Sequence, residues 1–328
     1  MSSFTFTEVV RLAQVGTSGR SRGLLSALAA LPGADVVVLC EDDESALSAA
    51  GRSFPEARAT TRSETVAADA AVDAVVVANG NADVARDCLQ AGKHVLIEAA
   101  TGRPEVVRQL ADLAAERDVR LMVGHALRYH PAVRATEDLV ANDALGTIRT
   151  VTWHLGDYDG PSGASVLDEH APSALSAVQA LIGSAPQAVS AYAQSAGGGA
   201  DVALVVVQFG DGSLADLHLS RIEARTVRRL TVVGSGGLAF FDGLDLREPL
   251  RIYTNPDDDH AHARPGSDVH VPWLSGEDPR TLQCREFVSA IRERRAPRTD
   301  GADALAVATL LDAARASIQA DGRRIQLA

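Results

Sequence analysis

The chain has 328 residues, 46% of them hydrophobic, and a formal net charge of −12 at pH 7. That length suits two domains better than one, and the apolar fraction is enough for a large core. The acidic balance, with Lys and Arg clustered no further than the pairs Arg228-Arg229, Arg294-Arg295 and Arg323-Arg324, disfavours nucleic-acid and anionic-membrane partners. No segment approaches the roughly 18 to 20 uninterrupted apolar residues of a membrane span, and the N-terminus shows no export pattern, so a cytoplasmic location is expected. Cys40, Cys88 and Cys284 are widely spaced and form no Cys-x-x-Cys pair. They are expected to be reduced, inert packing residues rather than metal ligands.

From Arg11 to His125, short apolar runs alternate with Ala- and Leu-rich helical stretches. Strands are predicted near Leu12-Val15, Val36-Cys40, Ala74-Ala78, His94-Glu98 and Arg120-Val123. Near-continuous apolar strands separated by helices indicate a parallel sheet covered on both faces, a doubly wound α/β domain over residues 1–128. After Pro131 a helix over Ala132 to Val140 leads into longer alternating runs: Ile148-His154, Ala188-Ala193, Val202-Phe209, Leu214-Leu219 and Arg229-Val233. Turn signals at Gly210-Asp211-Gly212 and Gly234 to Gly237 separate them, so residues 129–328 read as an α+β domain with a mostly antiparallel sheet. Gly197 to Gly199 is a turn rather than a phosphate cradle, and Asn255 to Gly266 is a surface loop. Pro172 suits a first helical position, which leaves Asp168-Glu169-His170 in the entry loop of the helix that follows.

Gly16-Thr17-Ser18-Gly19-Arg20-Ser21 follows the first strand and precedes the first helix, where a dinucleotide fingerprint belongs. Gly16 makes the tight turn, Ser18 and Gly19 let backbone approach a pyrophosphate, and the helix N-terminus supplies donors. Two fingerprint positions are Ser rather than Gly. Glu41 ends the second strand, where an acid accepts from the ribose diol and repels a 2′-phosphate. NAD is therefore expected over NADP, unless Arg20 or Arg22 turns toward a phosphate.

Several segments carry a resemblance that spans nearly the whole chain. Ala91-Gly92-Lys93-His94-Val95-Leu96-Ile97-Glu98, Val72 to Asn79, and Gly124-His125-Ala126-Leu127-Arg128-Tyr129-His130-Pro131 follow the order and spacing of the Gfo/Idh/MocA (glucose-fructose oxidoreductase / inositol dehydrogenase) family. Leu282 to Arg295 and Asp303 to Gln326 resemble its closing helices and strand. The resemblance implies an oxidoreductase that is a dimer or tetramer, with Asn79, Glu98 and Arg128 beside the cofactor. The first segment, however, ends in Glu98-Ala99-Ala100, whereas the family has Glu-Lys-Pro and uses the lysine in proton transfer. The family's catalytic His is also missing, because Ser173 and Ser176 stand near the places of its polar pair. Neither serine is a base near neutral pH without a partner.

Substitute acid/base groups are His170 and Tyr129. A helix N-terminus disfavours imidazolium, which would keep His170 neutral in the entry loop. His125, His154, Asp157 and Tyr158 follow or end strands and are further polar candidates. Three readings follow: an NAD-dependent oxidoreductase acting on a polar small molecule with a relocated acid/base, a non-redox cyclase, lyase or isomerase on the same fold, and a catalytically inactive nucleotide-binding partner protein.

Overall fold

The computed structural model describes residues 9–19, 21–98, 103–158, 165–195, 199–254 and 268–327. The chain divides into two compact units, Met1–Ala126 with Glu277–Ala306, and Leu127–Gly276 with Val307–Ala328. Glu277–Ala306, which follows residue 128 in sequence, thus packs with the N-terminal half.

In the first unit the chain runs β1 (Val10–Val15), α1 (Ser21–Ala29), β2 (Ala34–Cys40), α2 (Glu44–Gly51), β3 (Arg58–Thr60), α3 (Ser63–Ala67), β4 (Ala74–Val77), α4 (Ala82–Gln90), β5 (His94–Glu98), α5 (Pro104–Glu116) and β6 (Leu121–Gly124). The six strands form a parallel sheet in the order β3-β2-β1-β4-β5-β6. All of β4 and the middle of β5 are shielded from solvent, as the continuous apolar runs require of a sheet covered on both faces. The topology reverses between β1 and β4, and the crevice beyond the carboxyl ends of those strands is where ligands of such sheets bind.

Asn81 caps α4 and Asp43 caps α2 by accepting from N–H groups of the first turn, which is why each helix starts at its observed residue. Glu277–Ala306 supplies α8 (Pro279–Arg292), capped by Asp278 and packed on α1. Thr299 then covers the free edge of β6, where its carbonyl accepts from Val123 N at 2.8 Å and its hydroxyl donates to Val123 O at 2.6 Å. An edge strand protected this way is closed to pairing with another chain. Cys40, Cys88 and Cys284 are buried and unbridged. Burial pushes their thiols up to about 11, about 12 and about 12, respectively, which makes them poor nucleophiles.

The second unit holds α6 (Pro131–Ala141), β7 (Ile148–Tyr158), α7 (Val166–Ile182), β8 (Pro186–Gln194), β9 (Val202–Phe209), β10 (Leu214–Ser220), β11 (Ile222–Gly234), β12 (Gly237–Asp242), β13 (Leu250–Thr254) and β14 (Asp268–His270). From Val307 it also holds the rest of α9 (Gly301–Gln319), followed by β15 (Ile325–Gln326). The nine strands make one sheet, β14-β13-β12-β11-β7-β10-β9-β8-β15. Every recorded pairing in it is antiparallel except β7 with β10. One face packs Trp153, Val205, Leu217, Leu230 and Phe241 against apolar residues of α7 and α9.

The helix after β7 differs from its sequence-based expectation. Ser165 is its N-cap, accepting from Leu167 N at 3.3 Å, and Pro172 lies inside it. Asp168, Glu169 and His170 are therefore helical rather than in an entry loop. Pro172 leaves the Asp168 carbonyl without its i→i−4 donor. The cap and the burial of Val166, Leu167, Ala171 and Pro172 outweigh that loss. At the other end Gly183, at φ 72°, closes the helix by donating to Gln179 O, a left-handed stop that glycine adopts without strain. Residues 196–198 and 255–267, which include most of the glycine run and the expected surface loop, lie outside the described residues. No described helix is long and apolar enough to cross a membrane.

Candidate active site

In the first unit the nucleotide loop lies where the sheet reverses. Gly16 donates to Cys40 O at 2.9 Å and has φ +88°, and a Cβ there would stand 3.0 Å from Asn79 N. Both the backbone angle and the approach to the end of β4 therefore call for glycine. Asn79 is exposed at that strand end, and its side chain accepts from Asn81 N at 3.2 Å. The buried Gln14 side chain, which sequence reasoning did not single out, donates to Gly16 O at 2.8 Å and Ser21 O at 3.0 Å. It thereby ties the loop to the start of α1.

Glu41 reaches across from β2 into this loop. Its Oε2 accepts from Thr17 N at 2.7 Å and Ser18 N at 3.1 Å. Burial alone would push this carboxyl up, but the hydrogen bonds from Thr17, Ser18 and Asp43 outweigh it and hold Glu41 below the ordinary carboxylate range. Its charge is thus secured at neutral pH. Gly19, at φ +55°, has open space where a Cβ would go, so backbone there is accessible to a ligand. Arg20 and the Ala99-Ala100 pair lie outside the described residues.

Glu98 ends β5 in a different environment. Gln283 from α8 donates to Glu98 Oε1 at 2.5 Å, and burial pushes the carboxyl up despite that bond and the nearby Arg280 cation. Glu98 and Gly124 are register partners, and a Cβ on Gly124 would overlap the Glu98 carboxylate. Gly124→Ala is expected to cost about 1–3 kcal/mol through overpacking, measured as a lower urea midpoint. An unchanged midpoint would show that the carboxyl moves aside freely. Because the folded value of Glu98 is raised, its stabilising neutral form is fully present below the ordinary carboxylate value and is lost as pH rises through the folded one. His125, 2% exposed, lies with its Nε2 3.8 Å from Asp303 Oδ2.

In the second unit each residue of the acidic-histidine triplet has a partner. Asp168 accepts from Arg315 at 2.5 Å, and Glu169 accepts from the buried Arg221 at 2.7 Å. His170 brings Nε2 to 4.0 Å from Asp157 Oδ1, near the end of β7. His170 is the fifth residue of α7, beyond the first turn in which a helix dipole acts strongly. The carboxylate of Asp157, whose Oδ1 is buried and makes no hydrogen bond among the described residues, is therefore a charged neighbour of His170 at 4.0 Å, an electrostatic contact rather than a hydrogen bond.

Two other predicted residues have different surroundings. Tyr129 is 1% exposed in the 3-10 turn Ala126–Tyr129. Arg128 donates to Glu137 Oε1 at 2.6 Å and Ser176 O at 3.2 Å, which commits its guanidinium to α6 and α7. Ser176 is fully buried.

The two folds agree with what the chain is similar to. Residues 10–125 match the model described as "Oxidoreductase family, NAD-binding Rossmann fold", and residues 133–240 match the "GFO/IDH/MocA C-terminal domain". A D-apiose dehydrogenase of Paraburkholderia graminis is 26% identical over 99% of this chain and 92% of its own length. A dTDP-3,4-didehydro-2,6-dideoxy-alpha-D-glucose 3-reductase of Streptomyces violaceoruber is 31% identical over 44% of this chain and 45% of its own. The crystal structure of GenD2 from gentamicin A biosynthesis, in complex with NAD, superimposes with a TM-score of 0.82 at 27% identity, covering 99% of this chain and 98% of that one. With both of its halves matched in order, the chain belongs to the Gfo/Idh/MocA family of oxidoreductases and has that family's NAD-binding Rossmann fold.

Proposed function

We propose that this protein is an NAD-dependent oxidoreductase acting on a sugar-, cyclitol- or secondary-metabolite-like small molecule, with an acid/base other than the family's lysine and histidine. The observation that carries the reading is the nucleotide loop. Gly16, Ser18 and Gly19 stand at the reversal of the sheet, with Glu41 charged against the Thr17 and Ser18 amides and Asn79 across from Gly16. Pyrophosphate meets backbone donors at the start of α1, and the ribose diol meets Glu41. Arg20 and Glu98 complete the proposed cofactor contacts. Arg128 supports them only indirectly, by fixing the turn that precedes α6.

The proton is handled by His170, with the Asp157 carboxylate 4.0 Å away as a charge that favours its protonated form. Tyr129 is the second candidate; its burial favours His170. The carbohydrate class is supported by the D-apiose dehydrogenase and the deoxysugar reductase to which the chain is similar. Calorimetric titration with NAD and NADP, followed by screening sugars, cyclitols and nucleotide sugars for reduced-cofactor absorbance, tests the reading. Tight NAD binding with turnover of one class supports it. NAD binding without turnover of any class turns the reading toward the non-redox enzyme or the inactive partner protein.

The chain is also proposed to be a homo-oligomer, a dimer or tetramer. Tyr192, Leu204, Val206 and Leu214 stand exposed on the sheet face that α7 leaves uncovered, where a second copy would shield them. β9 itself lies between β10 and β8, so its face rather than its edge is available. Light scattering that returns a monomer mass would overturn this assignment.

A further inference from the structure

Three polar side chains of the second sheet take no part in the roles above. His154 on β7 and His218 on β10 are register partners in the parallel pair. Their rings stack with centroids 4.4 Å apart and planes 3° from parallel. Each alternates with core residues, Trp153 and Leu155 on β7 and Leu217 and Leu219 on β10. Because successive side chains of a strand point to opposite faces, both imidazoles lie on the face turned away from α7. Glu223 on β11 brings Oε1 to 3.3 Å from His154 Nε2 and 3.8 Å from His218 Nε2.

The backbone is shaped to put Glu223 there. Ile222 pairs with Tyr158 and Val227 with Gly156, so residues 223–226 of β11 stand opposite the single Asp157. Such a break in register re-aims side chains. The Glu223 side chain crosses β7 over Gly156, where any Cβ would come 2.5 Å from Glu223 Cγ. One donor atom from each of the three residues lies within 4.8 Å of the other two.

Donors around a tetrahedral zinc ion, with bonds of about 2.0–2.2 Å, stand about 3.3 Å apart. The His154–Glu223 pair already has that spacing, and to join it the rings must tilt out of their parallel stack so that both Nε2 lone pairs converge on one ion. Two imidazoles and one carboxylate suit a borderline-soft cation better than calcium or magnesium, which take oxygen ligands. The charges nearby are compatible with a cation. Arg229, opposite His154 in register, is engaged by Asp242 at 3.0 Å, and Asp216, two residues before His218 on the same face, accepts from Thr152 at 2.7 Å. All three side chains are about one-third exposed in a single chain, and His218 is the register partner of Leu204, so an ion reaches them from solvent before a second copy covers this face.

We propose that His154, His218 and Glu223 form a binding site for one divalent transition-metal ion, zinc by donor chemistry, on the open face of the second sheet. The test uses the tag-free full chain in competition with a chromophoric zinc indicator, alongside His218→Gln and Glu223→Gln. The expected result is about one zinc ion per chain, with affinity reduced at least tenfold in both variants, and a visible cobalt(II) absorption band that both variants lose. The two substitutions fall on different strands, and metal-free melting curves report whether each variant folds. A full chain that fails to take up one equivalent, or folded variants that bind zinc as tightly as the parent, overturns the proposal.

Discussion

His170→Ala is expected to lower turnover about 100- to 10,000-fold, the usual contribution of a positioned general acid or base, and to leave NAD affinity nearly intact. The side chain lies on α7 and not in the nucleotide loop, so on the proposed reading its loss removes a proton carrier and leaves the Gly16–Gly19 loop and Glu41 intact. Asp157→Asn is expected to follow in the same direction with a smaller effect, since it removes the neighbouring charge and leaves the imidazole. Tyr129→Phe provides the comparison. If the tyrosine hydroxyl carries the proton instead, the large loss moves to that variant, and full turnover in both would end the relocated acid/base proposal. Ala99→Lys is the converse measurement. Gain of alcohol oxidation would mark a decayed dehydrogenase, whereas loss of an existing activity would mark a pocket rebuilt for other chemistry.

The second large effect is on cofactor binding. Glu41→Ala is expected to weaken NAD at least tenfold, because removing a charged hydrogen-bond acceptor costs about 1.5–3 kcal/mol. The structure adds a second reason for the loss, since Glu41 also holds Thr17 N and Ser18 N in place and the loop would lose its ordering contact. NADP is expected to lose less or to gain, as a 2′-phosphate would no longer face a carboxylate. Because Glu41 is held below the ordinary carboxylate range, the contribution should be constant across neutral pH and disappear only under acid conditions. Calorimetry at several pH values checks both points, and a parent protein that already prefers NADP would refute the ribose assignment.

Much of the first unit is legible in the sequence because a covered parallel sheet needs unbroken apolar runs, and Ala74–Val77 or His94–Glu98 are not readily mistaken for anything else. The three-residue β3 is too short to leave such a run. In the second unit the start of α7 misleads. Pro172 resembles a first helical residue, and it masks the Ser-x-x-Asp start pattern that Ser165 makes with Asp168. The last strands, β12 to β14, escape because Gly237–Asp242 combines a glycine turn with an aromatic pair and shows little alternation. At the site, Gly16 and Glu41 are marked by a motif that depends on local spacing. By contrast, the pairing of His170 with Asp157, of Gln283 with Glu98 and of His154 with His218 depends on register and packing between distant segments, to which a local pattern is blind.

The return of residues 277–306 to the first sheet bears on how the protein is made. Val123 N waits for a carbonyl 176 positions further along, and Glu98 for an amide 185 positions away. A nascent chain that has emerged only as far as β6 therefore presents a bare strand edge and a buried-type carboxyl with no donor. It must hold them through the synthesis of the second sheet as far as β14, at roughly 5–20 residues per second. The N-terminal half cannot mature first and then be extended; its completion belongs to the last part of translation.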